Sequence, residues 1–153
     1  MLRTASGCYL SLDEDNYYYA NKTTIDESCV IRVEITDDNY TGFCNLKNNS
    51  YATAEINKEP YYLCSNKSYM QSWECFTLYK NDEYVRISSQ GRENDNSPYK
   101  YITCEEETDN KPLSVNCKDP KAWENFSVLV YIPDKRFWVN LFTDEIIEDT
   151  LFD

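Results

Sequence analysis

Histidine is absent from the 153 residues, so acid–base or nucleophilic chemistry would fall to carboxylates, thiols and phenols. Serine and cysteine triads and most zinc sites depend on an imidazole and are excluded. The 27 acidic side chains offer many carboxylate pairs, but glycoside hydrolysis needs two held across one sugar, and no pair is set apart by its surroundings. The Asp-Thr/Ser-Gly signature of aspartic proteases does not occur. One stretch, Asp37-Asp38-Asn39-Tyr40-Thr41-Gly42, opens like a calcium loop, yet Asn48 stands where the bidentate glutamate belongs. It reads as a hairpin turn. The expectation is a protein that is not an enzyme and that carries neither metal nor cofactor.

Binding chemistry is better represented. In Asp13-Glu14-Asp15-Asn16-Tyr17-Tyr18-Tyr19, three carboxylates precede three tyrosines. Tyrosine gives large, rigid contact area at low entropic cost, and flanking acids attract a basic partner and speed encounter. A second acidic run, Glu105-Glu106-Glu107, follows Cys104 in a loop. Asp13, Glu14, Asp15, Tyr17, Tyr18, Tyr19, Glu105, Glu106 and Glu107 are therefore the candidate partner-binding residues.

Seven cysteines (Cys8, Cys29, Cys44, Cys64, Cys75, Cys104 and Cys117) lie far apart, without the C-x-x-C pairs of zinc knuckles or redox motifs. Spread over a β-rich chain, they read as disulfide candidates with one left over, free to link two chains. The N-x-S/T pattern occurs at Asn21, Asn39, Asn48, Asn66 and Asn125, marking five candidate glycosylation sites. Both features point to the secretory pathway. The start, Met1-Leu2-Arg3-Thr4, is no signal peptide, so the expectation is a secreted or extracellular chain whose leader is not in this sequence. Frequent asparagine, lysine, tyrosine and isoleucine suit AT-rich coding sequence, as in many parasites and large DNA viruses.

With 15 basic residues the net charge is −12, which opposes binding to nucleic-acid phosphates and to anionic leaflets. No apolar run approaches the length of a membrane span. Aromatic residues make up 15 % of the chain, and a chain this long can bury a core.

The elements that must position these residues are strands. Period-two alternation marks Cys8 to Leu12, Tyr17 to Ala20, Val30 to Thr36, Thr41 to Leu46, Tyr51 to Ile56, Tyr61 to Cys64, Trp73 to Tyr79, Glu83 to Ser88, Tyr99 to Cys104, Phe126 to Ile132 and Arg136 to Phe142. Turn formers at 37–40, 80–82 and 133–135 predict hairpins. Gln90 to Pro98 and Glu105 to Asp119 read as loops. Asp119-Pro120 predicts a helix start before Trp123, and Thr143-Asp144-Glu145 caps a terminal turn holding Ile146 and Ile147. The sequence is read as having no internal repeat. The predicted fold is all-β: residues 1–153 as one disulfide-containing antiparallel β-sandwich with long loops and one or two short helices, with a lipocalin-like barrel as the alternative.

The function expected first is an acidic glycoprotein that binds another extracellular protein. The partner would be a basic chemokine or cytokine, and the chain an immunomodulatory decoy or surface ligand of a virus or parasite. Two alternatives accompany it: a lipocalin-type carrier of an amine or lipid, and a structural or adhesive surface domain.

Overall fold

The computed structural model describes residues 1–54, 59, 61–105, 111–149 and 151. Fourteen antiparallel strands join one hydrogen-bonded sheet: β1 (Leu2–Thr4), β2 (Tyr9–Leu12), β3 (Tyr18–Lys22), β4 (Ile31–Ile35), β5 (Thr41–Asn45), β6 (Tyr51–Ala54), β7 (Leu63–Lys67), β8 (Phe76–Asn81), β9 (Tyr84–Ser89), β10 (Tyr101–Thr103), β11 (Ser114–Cys117), β12 (Phe126–Ile132), β13 (Phe137–Asn140) and β14 (Ile146–Glu148). The helical elements are short: α1 (Gln90–Asn94) and three 3-10 turns at Glu27–Cys29, Ser72–Glu74 and Ala122–Glu124. The all-β, antiparallel, sandwich-like class expected from the sequence is the class observed.

Within that class the pairings repeat three times, although no repeat stood out in the sequence. Each 3-10 turn leads into a long strand (β4, β8, β12), which pairs with a second strand (β5, β9, β1). The second pairs with a third (β6, β10, β2), and the third with a fourth (β7, β11, β3). The register between third and fourth strands slips at the same place in every unit, after Tyr9, Tyr51 and Tyr101. The chain thus follows a trefoil plan in which its first three strands complete the unit begun by β12. Neighbouring units meet where Thr41 pairs with Phe76 and Val85 with Phe126.

The core is built from matching sets of these units. Leu2, Phe43 and Ile87 are equivalent by register, as are Leu10, Ala52 and Ile102, and all six are buried in one cluster. Tyr18, Leu63 and Leu113 meet across units, Leu113 N–H donating to Tyr18 O at 2.8 Å and Leu63 N–H to Leu113 O at 2.7 Å. A second cluster joins Met1, Tyr9, Cys29, Leu129 and Trp138, beneath the C-terminal hairpin β13–β14.

The three hairpins expected from turn residues form, with Asn39, Asp82 and Arg136 taking up the left-handed backbone that tight turns need. Four expectations are corrected. The helix placed at Asp119-Pro120 begins at Ala122 with Lys121 as its cap, because the Glu124 carboxylate accepts from the Lys121 N–H at 2.7 Å. Ile146 and Ile147 are strand residues, since pairing of Ile147 with Trp138 outweighs the local turn, which Thr143 Oγ1 closes by accepting from Glu145 N–H at 3.2 Å. The Gln90 to Pro98 loop contains α1, started by Ser89 Oγ accepting from Arg92 N–H at 3.3 Å. The Glu105 to Asp119 loop contains β11.

Candidate functional site

The third 3-10 turn carries the most exposed tryptophan. Glu124, 4 % exposed, braces the turn: one carboxylate oxygen accepts from Lys121 N–H and the other from the Thr103 hydroxyl on β10. The Trp123 carbonyl accepts from Cys104 N–H at 3.1 Å. With its backbone held on both sides, the turn projects the Trp123 ring outward, 52 % exposed. A depression of about 580 Å³ opens beside it, bordered by Asn116, Cys117, Lys118, Asp119 and Glu105.

Asn116 is fixed from behind. Its Oδ1 accepts from Arg92 Nη2 at 3.3 Å, while the same guanidinium donates to Tyr99 O at 2.9 Å and lies 3.7 Å from the centre of the Tyr61 ring. The rim charges balance: Lys118 and Lys121 against Glu105 and Asp119, all exposed. Cys117 sits deeper, and burial, reinforced by the Glu124 carboxylate, pushes its thiol up to about 12. The site offers a flat apolar ring, a carboxylate and an amide in an open, nearly neutral setting. That combination suits a polyhydroxylated ligand: C–H faces pack on the ring, and hydroxyls bond the polar groups.

Comparison among units isolates this position. Ser28, Trp73 and Trp123 are equivalent in the three 3-10 turns. Ser28 has no ring and is buried. Trp73 is packed under α1, so closely that a Cβ at Gly91 would come within 2.5 Å of its ring. Trp73 is half-buried, and of the two rings Trp123 is the exposed one.

The candidates taken from the sequence separate. Tyr18, expected in a contact patch, is 1 % exposed; Asn45 Nδ2 donates to its hydroxyl at 3.1 Å, and burial raises its pKa to about 12. It is a core residue and leaves the patch. Asp13 organises the β2–β3 turn, accepting from Asp15 N–H at 3.0 Å and Tyr17 N–H at 2.9 Å, which leaves Glu14 and Asp15 exposed. Tyr17 and Tyr19 are half-buried; Tyr17 meets Tyr62 edge-on at 6.0 Å, and burial together with Asp13 and Asp15 raises the Tyr19 phenol. Glu105 is exposed and borders the Trp123 depression, whereas Glu106 and Glu107 lie outside the described residues.

No bond joins any two of the seven cysteines; Cys8 and Cys117 are half-buried and the rest buried. Of the sequon residues, Asn21, Asn39 and Asn66 are exposed. The Asn48 amide donates to Ser65 O and Asn16 Oδ1, and Asn125 Oδ1 accepts from Arg86 and Asn81. Asp37–Tyr40 lies in the β4–β5 turn while Thr41 and Gly42 are on β5, and the described residues contain no cluster of three acidic or thiol groups placed to hold a metal. A separate apolar cavity of about 320 Å³ lies between β1, β4 and β12, lined by Ile31, Val33, Val128, Val130 and Trp138 among others, with no acidic residue in its wall.

No family model matches the sequence, and no curated protein matches it. Solved structures do resemble it. A GlcNAcα1-4Gal-releasing endo-β-galactosidase from Clostridium perfringens aligns over 82 % of this chain with a TM-score of 0.63 and 18 % identity. A mosquitocidal holotoxin aligns over 91 % with a TM-score of 0.65 and 10 % identity. At these identities the likeness is one of fold. The chain spans 30 % of the first protein and 24 % of the second.

Proposed function

We propose that this chain is a non-catalytic recognition module that works outside the cell and binds a glycan at the Trp123 depression. The observation that carries the reading is the contrast between Trp73 and Trp123: the same position serves packing in one unit and is left uncovered in another. A tryptophan held on a rigid turn presents a flat ring that is already in place, the kind of anchor that dominates binding energy. The balanced rim favours a neutral ligand over an ion. The likeness to part of a galactoside-cleaving enzyme supports a module that holds a sugar chain, and the exposed sequons support an extracellular setting.

A glycan array probed with the purified chain tests this. The expected result is binding to a defined subset of glycans, weakened at least tenfold in Trp123→Ala and in Asp119→Ala with unchanged melting temperature. Absence of binding across the array, or binding indifferent to both substitutions, overturns it.

The protein-decoy reading keeps one favouring observation. Glu14 and Asp15 project beside the half-buried rings of Tyr17 and Tyr19, a surface suited to a basic protein such as a chemokine or cytokine. Loss of chemokine binding in Glu14→Gln/Asp15→Asn, with glycan binding intact, would support it. For the carrier alternative, the apolar cavity has a wall suited to a lipid and no acid to hold an amine.

A further inference from the structure

The threefold plan makes it possible to compare one strand edge in three settings. By register, Val33 on β4, Leu78 on β8 and Val128 on β12 are equivalent, each opposite the matched core residue Phe43, Ile87 or Leu2. Two residues further on stand Ile35, Lys80 and Val130. On β12 the outer edge is covered by an added strand, Val130 pairing with Val139 and Ile132 with Phe137. On β8 the corresponding position is a lysine, a residue that discourages strand addition. On β4 it is an isoleucine, and no described strand covers it.

The direction of the β4 backbone follows from its neighbours. Leu46 N–H donates to Val30 O and Thr36 N–H to Tyr40 O, so the even-numbered groups face β5. Ile31, Val33 and Ile35 therefore turn their N–H and C=O groups away from β5, toward an edge with which no described strand pairs. Val33 is 55 % and Ile35 64 % exposed, and β4 has no proline and no bulge. Such an edge is a template for pairing.

The geometry points to a second copy of this chain as the occupant, with β4 pairing antiparallel to β4 about a twofold axis at Val33. The sequence Ile31-Arg32-Val33-Glu34-Ile35 is self-complementary in that register. Val33 faces Val33 of the other copy, Ile31 faces Ile35, and Arg32 faces Glu34 on both sides of the axis. Cross-strand pairs of opposite charge favour one register over its neighbours, and a slip by two residues would set Glu34 opposite Glu34 in one direction or Arg32 opposite Arg32 in the other. The interface is isologous and closed, as a twofold requires. It would carry two Trp123 sites, but its existence does not depend on what they bind.

Sedimentation at about 0.15 M salt, where the repulsion of two −12 bodies is screened, tests the pairing over a range of concentrations. The expected species at high concentration has twice the 18.1 kDa mass of the chain. Val33→Pro removes an N–H that β5 does not use, and should weaken dimerisation at least tenfold while leaving the melting temperature close to that of the parent. Arg32→Glu sets like charges opposite and should have the same effect, and Arg32→Glu/Glu34→Arg should restore the dimer. A chain that stays monomeric at all concentrations, a dimer unaffected by Val33→Pro, or a charge swap that fails to restore association overturns the proposal.

Discussion

Trp73 and Trp123 stand at the same position of two repeat units, and the backbone of Gly91 lies against the ring of the first while the second is 52 % exposed. Gly91→Ala drives a methyl group to about 2.5 Å from the Trp73 ring, and neither the ring nor the short helix can yield without repacking. The expected cost is roughly 1–3 kcal/mol, as for other overpacked sites. Trp123→Ala should change stability by less than about 0.5 kcal/mol, in keeping with a surface position. Urea unfolding of both variants checks the pair. A stability loss in Trp123→Ala equal to that in Gly91→Ala would make the exposed ring structural.

All eleven segments marked by alternation overlap an observed strand, though β7 and β8 start two and three residues later than expected and Trp73 and Glu74 belong to a 3-10 turn; burial alternates with a period of two in β3 and β13, whereas β2 and β5 are buried throughout. Three strands were missed. Leu2–Thr4 and Ile146–Glu148 are too short to show a period, and Ser114–Cys117 was masked by the polar residues around it. The repeat was legible after all: Trp73-Glu74-Cys75-Phe76 and Trp123-Glu124-Asn125-Phe126 share Trp, Glu and Phe in one spacing. The first unit hid it, with Ser28 and Cys29 in place of Trp and Glu. Acidity drew attention to Asp13–Tyr19, whereas what marks Trp123 is exposure, which a sequence does not record.

Cys117 should react slowly for a thiol that is only half-buried. Burial and the neighbouring Glu124 carboxylate raise its pKa from 9.0 to about 12, which lowers its thiolate fraction near neutral pH about a thousandfold. Peptide mapping after brief iodoacetamide treatment at pH 8 should find Cys117 unmodified in the folded chain and modified once urea is added. Glu124→Gln keeps an acceptor for Lys121 N–H, turns its amide NH2 to donate to the Thr103 hydroxyl oxygen and removes the charge, and should quicken the reaction. Prompt labelling of Cys117 in the native protein would contradict this geometry.

The Tyr18 phenol ties stability to the alkaline range. Its pKa is raised to about 12, chiefly by burial, so the folded state holds a proton that the unfolded chain gives up near pH 10. The stability it contributes is complete below pH 10 and lost as the pH rises toward 12. Tyr18→Phe should flatten the decline between pH 10 and 12. It should also cost about 1 kcal/mol at pH 7, since Asn45 Nδ2 loses one of its two partners, the other being Ser28 O at 3.0 Å. An unchanged alkaline slope in Tyr18→Phe would assign that slope to other groups.

A polypeptide prepared with Met1 as its first residue and its amine free should show a pH dependence near neutrality that its composition makes easy to isolate. Met1 is buried with Leu129 and Trp138, its amine donates to Leu129 O at 2.9 Å, and desolvation lowers its pKa from 8.0 to about 5. A cationic group with a depressed folded pKa binds fewer protons in the folded state, so stability rises with pH. Above pH 8 the amine is neutral in both states. As the pH falls from 8 to 5 the unfolded chain takes up a proton that the folded chain refuses, and the loss levels off below 5. A depression of this size corresponds to roughly 4 kcal/mol. Histidine, which would otherwise titrate in this window, is absent. Unfolding free energies at half-unit steps from pH 5 to 8.5 should therefore climb with one dominant group, and Nα-acetylation, which removes the ionisable amine, should flatten the climb. A flat profile in the unmodified chain would show that the amine reaches water, and with it that the Met1 end of β1 is not held against β12 as described.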